Sequence, residues 1–238
     1  MIAQTPGKIF LAYERGLAES DRFRRYSTFS FGPWAHPHKG PFGRLYGLNE
    51  ETLAGGHALN FTVAEASHVL IIPITGAVAL TGLGQPETSV GVEEATVLTL
   101  PADSTLHVRN PYDTDLVSFL HIWLLADAPG DDSSEQRGIF SVEAIQNQLA
   151  RLLPMTAVDT LPFAVSLGRF DGRQETVYQL KNPANSVFVF TLAGAFEVES
   201  RLLHEKDGLA LWNVAEIELE ALSNDALVLV LELPPQAA

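Results

Sequence analysis

Val69-Leu70-Ile71-Ile72-Pro73-Ile74-Thr75-Gly76-Ala77-Val78-Ala79-Leu80 decides the fold of this chain. It reads as two apolar strands that reverse at Gly76, the residue best suited to a tight reversal. Its centre, Ile74 to Leu80, returns as Leu192-Ala193-Gly194-Ala195-Phe196-Glu197-Val198. In each copy an acidic turn and a further apolar strand follow. The first has Glu93-Glu94 and then Thr96 to Leu100; the second has Lys206-Asp207-Gly208 and then Leu209 to Trp212. A strand–glycine–strand unit that occurs twice is most simply two β-barrels of roughly 110 residues each.

The rest of the chain agrees. Val117 to Leu125, Gln174 to Leu180, Ser186 to Leu192, Glu216 to Glu220 and Ala226 to Leu231 are β-branched or alternating, and turn-forming residues separate them. Ile217 and Leu219 alternate with Glu216, Glu218 and Glu220, so this strand has one wet face and one buried face. Residues 126–138 are polar, acidic and rich in turn formers, and read as a linker. A helix is expected from Val142 to Leu153: Ser141 caps it, Val142, Ile145, Leu149 and Leu152 share a face, and Pro154 lies past its end. The predicted organisation is a first domain over 1–126, a linker and helix over 127–155, and a second domain over 156–238.

Composition narrows the chemistry. Among 238 residues there are 15 Lys+Arg and 29 Asp+Glu, a formal charge of −14 that repels phosphate backbones and anionic lipid. No nucleic-acid or membrane partner is expected; a protein partner stays open. With no cysteine, disulfides, thiolate metal sites and cysteine nucleophiles are excluded. Met1 to Leu11 lacks the long apolar run of a secretory signal, and no 18-residue apolar window exists, so the expected location is cytoplasmic. No nucleophile elbow, P-loop or Gly-x-Gly-x-x-Gly motif is present. Glu50-Glu51 and Glu93-Glu94 read as solvated acidic turns, and Trp123 and Trp212 as core.

A family resemblance adds to this. Glu14-Arg15-Gly16, Ser27-Thr28-Phe29-Ser30-Phe31, Pro37-His38, Phe42-Gly43, Leu48-Asn49-Glu50-Glu51 and Gly55-Gly56 occur in the order seen at the start of the pirin family of two-domain cupins. Leu120-His121-Ile122-Trp123-Leu124 resembles the Gln-Leu-Trp strand that closes the first pirin cupin. Asp207 to Trp212 resembles the C-terminal cupin of bacterial pirin-like quercetinases. The resemblance implies an all-β bicupin, two jelly-roll barrels with a short helix between them. It also implies a metal, commonly iron, in the first barrel, held by His-x-His, a later histidine and a glutamate two residues beyond.

Counting back from Gly76 puts the His-x-His positions on Thr62 and Ala64. Alanine has no donor atom and a threonine hydroxyl is a poor transition-metal ligand. The later histidine falls on His107, and Arg109 stands in place of the glutamate. A guanidinium is permanently charged and cannot accept. His36-Pro37-His38 is a His-x-His too early in the chain, and its prolines mark a loop.

The expected pocket is therefore Thr62, Ala64, His68, His107, Arg109 and His121, with no cofactor, and Arg109 with His107 favours an anionic small molecule. A rearranged set of His68, His107 and His121 could instead hold iron or zinc. Three functions follow: a metal-free small-molecule-binding or regulatory cupin, a quercetin dioxygenase-like enzyme with a rearranged histidine site, or a protein-interaction module of transcription-cofactor type. Whether the protein is an enzyme stays open, and no catalytic residue is assigned.

Overall fold

Alternating apolar residues make nearly every expected segment a strand in the structure, a computed structural model that describes residues 5–82, 85–127, 134–154 and 161–235. The strands in chain order begin with β1 (Gly7–Phe10), β2 (Gly16–Glu19), β3 (Phe23–Ser27), β4 (Leu45–Leu53), β5 (Ala58–Val63), β6 (Ser67–Thr75) and β7 (Ala77–Gly82). Next come β8 (Gln85–Gly91), β9 (Glu94–Leu100), β10 (Ser104–Arg109), β11 (Val117–Leu125), β12 (Ser134–Ile139), β13 (Gln148–Leu153) and β14 (Ala164–Phe170). The last are β15 (Glu175–Gln179), β16 (Ser186–Ala193), β17 (Phe196–Val198), β18 (Arg201–Leu203), β19 (Gly208–Leu211), β20 (Glu216–Ala221) and β21 (Ala226–Leu233). Among the described residues, no helix is long and apolar enough to cross a membrane.

Two compact units result: Arg15–Ile139, the first, and Met1–Glu14 with Phe140–Ala238, the second. In the first, a seven-stranded antiparallel sheet of order β12-β9-β6-β11-β4-β3-β2 faces a four-stranded sheet of order β5-β10-β7-β8. Their inner faces meet in one core. Val69, Ile71, Phe119 and Trp123 of the large sheet pack with Phe61, Val63, Leu106 and Val108 of the small one. Burying each such side chain contributes about 1.5–3 kcal/mol relative to exposure, which sets the register.

The second unit repeats this plan. Its sheets are β1-β19-β16-β21-β14-β13 and β15-β20-β17-β18. β16, β21, β14 and β19 occupy the places of β6, β11, β4 and β9, and β1 occupies that of β12. The duplication read from sequence is therefore real, and its two glycines behave alike: Gly76 has φ +71 and Gly194 φ +74. Ile217 and Leu219 are buried while Glu216 and Glu218 are exposed, as the alternation predicts.

Three expectations need correction. The segment Val142 to Leu153 is no helix. Residues 142–145 form a turn, Asn147 takes the left-handed φ of 55, and β13 then pairs antiparallel with β14. A turn followed by alternating residues reproduced the helical spacing, and the edge of a ready-made sheet outweighed local propensity. The domain limits also differ. Gly7–Phe10 pairs with β19 of the second unit, and Ser134–Ile139, expected in the linker, pairs with β9 of the first. Residues 128–133 of that linker, and the expected boundary at 155–156, lie outside the described residues. Finally, Trp123 is core, as expected, but Trp212 is 37% exposed, because it falls one residue beyond β19.

Candidate functional site

β5 and β10 pair directly, His107 opposite Asn60 and Thr105 opposite Thr62. Side chains alternate across each strand, so two sets result. Phe61, Val63, Leu106 and Val108 point into the core. Thr62 and His107 lie on the other face and are exposed, as is Ala64 just beyond the strand. His107 Nδ1 lies 2.6 Å from Asn60 Oδ1. Arg109 grips Glu87 with two nitrogens, at 2.7 and 3.3 Å. The His107–Arg109 pair expected to receive an anion thus has both members engaged by side chains of its own sheet.

The proposed trio of His68, His107 and His121 does not converge. Residues 64–66 turn the chain between β5 and β6, which belong to different sheets, so Thr62 and His68 lie on separate sheets. His121 pairs opposite Ile71 and projects into the core, whereas His68 pairs opposite Leu124 on the other face of the large sheet. There His68 Nδ1 meets Thr99 Oγ1 at 2.9 Å. Burial and the Arg44 charge push its pKa below the ordinary value. Among the described residues no group of three or more histidine and acidic side chains is placed to hold a metal. His36 and His38 are exposed in a turn, with Ser30 Oγ accepting the His36 N–H at 3.0 Å.

Within the core, β3, β4 and β11 assemble a polar chain that sequence reading missed. Arg25 Nε donates to Glu51 Oε2 at 2.5 Å. His121 Nε2 lies 3.2 Å from the same oxygen, and Trp123 Nε1 donates to His121 Nδ1 at 2.8 Å. Since Nδ1 accepts, the proton sits on Nε2 and the imidazole is neutral. Burial drives its pKa down, partly opposed by Glu51. Arg25 lies over the rings of Phe23, Phe31 and Phe61 at 5.1 to 5.5 Å. Glu51, read as a solvated turn, is fully buried. The available signal was alternation: Asn49, Glu51 and Leu53 share one face of β4, so two polar residues sit at inward positions.

A cleft of about 280 Å³ opens beside this chain. Phe31, Tyr46 and Trp123 provide its aromatic wall; Thr62, Ala64 and Glu65 line it from the end of β5, with Pro41 and Leu125 at its margin. Phe31 lies 5.7 Å from Trp123, centroid to centroid, and Tyr46 lies 6.1 Å from it, both tilted. Ser67 Oγ donates to the Glu65 carbonyl at 2.7 Å, so the Tyr46 hydroxyl, 2.8 Å away, donates to Ser67. Burial raises the Tyr46 pKa, and the Glu65 charge adds to the shift. Of the six expected pocket residues, Thr62 and Ala64 reach this cleft.

Comparison with known proteins fits this architecture. Residues 163–233 match the family model of the quercetinase C-terminal cupin domain. YhhW from Escherichia coli superposes with a TM-score of 0.84 at 18% identity, covering 97% of this chain and 98% of that one. YhhW in complex with nickel(II), described as a bacterial pirin, gives 0.82 at 19%, over 97% and 100%. Quercetin 2,3-dioxygenase from Acinetobacter baumannii gives 0.71 at 15%, over 97% and 79%. No curated protein matches. In fold the chain is a pirin-like bicupin.

The metal implied by that resemblance does not fit the residues present. A metal inside the first barrel needs donors that project inward from β5 and β10. The inward positions, with the same two-residue spacing one place before the expected ones, are Phe61, Val63, Leu106 and Val108. Four hydrocarbon side chains offer no lone pair.

Proposed function

We propose that this protein is a small-molecule-binding cupin lacking the metal centre of its fold relatives, with the aromatic cleft of the first unit as its ligand site. The observation that carries this reading is that Phe61, Val63, Leu106 and Val108, the inward positions next to the expected ligand positions on β5 and β10, are packed apolar side chains. Filling the interior removes room for a metal and its substrate together. It leaves the cleft at Thr62 and Ala64, beside the same strands, as a concavity that a ligand can enter. The buried histidine supports the same reading. His121 has both ring nitrogens engaged, by Trp123 and Glu51, and neither is free to ligate.

Metal analysis of protein expressed with added iron and nickel tests the proposal. The expected result is no stoichiometric metal and no oxygen uptake with quercetin. Stoichiometric iron, nickel or zinc that disappears in a His121→Ala variant would overturn it and restore the dioxygenase reading.

A further inference from the structure

We infer that the cleft selects organic cations, taking an alkylated ammonium group against the aromatic wall of Phe31, Tyr46 and Trp123 with Glu65 as its counter-ion. This rests on the preceding reading of the cleft as a ligand site, and goes further in naming the class of ligand. The three rings are tilted against one another, by 48° at Phe31–Trp123 and 57° at Tyr46–Trp123, so they form a concave wall and not a flat stack. Ring faces carry negative potential and attract cations, most strongly when the cation is desolvated. Trp123, 1% exposed, lies beneath the cleft as its floor, and half-buried Phe31 and Tyr46 form its accessible sides. Tyr46 turns its hydroxyl away to Ser67.

Charge favours the same class. Glu65 is exposed and has no ion-pair partner among the described residues. The neighbouring guanidiniums are engaged elsewhere: Arg25 with Glu51, Arg44 with Asp127, and Arg109 with Glu87. Among the described residues no cation lies over the ring of Tyr46 or Trp123, although Arg25 covers Phe31. The cleft therefore offers π faces and one uncompensated carboxylate, a combination hostile to the anion expected from Arg109. The formal charge of −14 further raises the local concentration of cations.

Titration calorimetry on the full chain, with three probes of nearly equal shape, tests this. The probes are choline, its neutral isostere 3,3-dimethylbutan-1-ol and the anion 3,3-dimethylbutanoate. Choline should bind saturably and about tenfold tighter than the alcohol. Glu65→Gln, at an exposed position, should erase most of that preference, and Tyr46→Leu should weaken choline more than the alcohol. Equal binding of alcohol and choline, or tighter binding of the acid, with sensitivity to Tyr46→Leu, would overturn the cation assignment and leave the ligand site standing. Failure of all three to bind would overturn both.

Discussion

Glu51 shows how much one side chain can carry in this fold. Its carboxylate faces Arg25 and His121 in a space closed to water, and Oε1 has no hydrogen-bond partner among the described residues. A buried ion pair is weak evidence of net stability, yet removing one partner strands the other charge. Glu51→Ala leaves the Arg25 guanidinium buried beneath three phenylalanines. The expected loss is about 3–5 kcal/mol, read as an earlier urea midpoint in the first unit. A change near zero would show that Arg25 reaches solvent in solution. Glu232 plays the corresponding part in the second unit. It accepts from Tyr178 Oη at 2.7 Å, the Lys181 N–H at 2.9 Å and Asn185 Nδ2 at 2.6 Å, tying β15 and the loop after it to β21. Burial and that carboxylate raise the Tyr178 pKa, so the phenol stays protonated and remains the donor.

Among the elements, the two glycine turns between β6 and β7 and between β16 and β17 are the joints on which each unit folds over. A Cβ at Gly76 would come within 2.8 Å of Val117 Cγ1, and one at Gly194 within 2.3 Å of Ser223 Oγ. Both residues also adopt positive φ, where a side chain costs about 1–2 kcal/mol. Gly76→Ala and Gly194→Ala are each expected to lower stability by at least that amount, the first in the transition of the first unit and the second in that of the second. Calorimetry that shows one shared transition shifted equally by both variants would contradict this assignment. The edge strands tell a different story. β13 contributes Leu152 and Leu153 to burial and β1 contributes Phe10, but neither is marked by periodicity over its short length. Each exists because a sheet edge offers unpaired N–H and C=O groups that recruit it.

For the molecule in its entirety, charge and protonation link these parts. His68 and His121, on opposite faces of one sheet, both have folded pKa values below 6.5. The folded state keeps them neutral while the unfolded chain takes up protons. Their contribution to stability is therefore full above about pH 6.5 and is lost as pH falls through that value toward the lower folded pKa. Urea unfolding should give decreasing stability from pH 7 to pH 5, with up to about 1.4 kcal/mol per pH unit from His121. A stability that rises over this interval would contradict the buried neutral assignment. The second unit adds a strain of like charges: Glu175 and Glu197 flank Glu220 on the outer face of its small sheet, relieved in part by Arg173 at 3.0 Å from Glu220.

The sequence by itself determined the class of fold, the duplication and most strands. Period-two alternation and positive-φ glycines are local properties, readable residue by residue, and β11 runs from Val117 to Leu125 as the pattern predicts. It also determined that neither of the two candidate registers on β5, Phe61 and Val63 or Thr62 and Ala64, supplies a histidine. What only the tertiary structure decided was which register points inward. A shift of one residue sends every side chain of a strand to the opposite face. That single step moved His107 and Arg109 from an imagined pocket to the surface and brought Phe61, Val63, Leu106 and Val108 into the core. Pairing across strands then set Arg25, Glu51 and His121 together, and joined Phe31, Tyr46 and Glu65 into one cleft. Such contacts between residues far apart in the chain depend on sheet pairing, which no local pattern encodes.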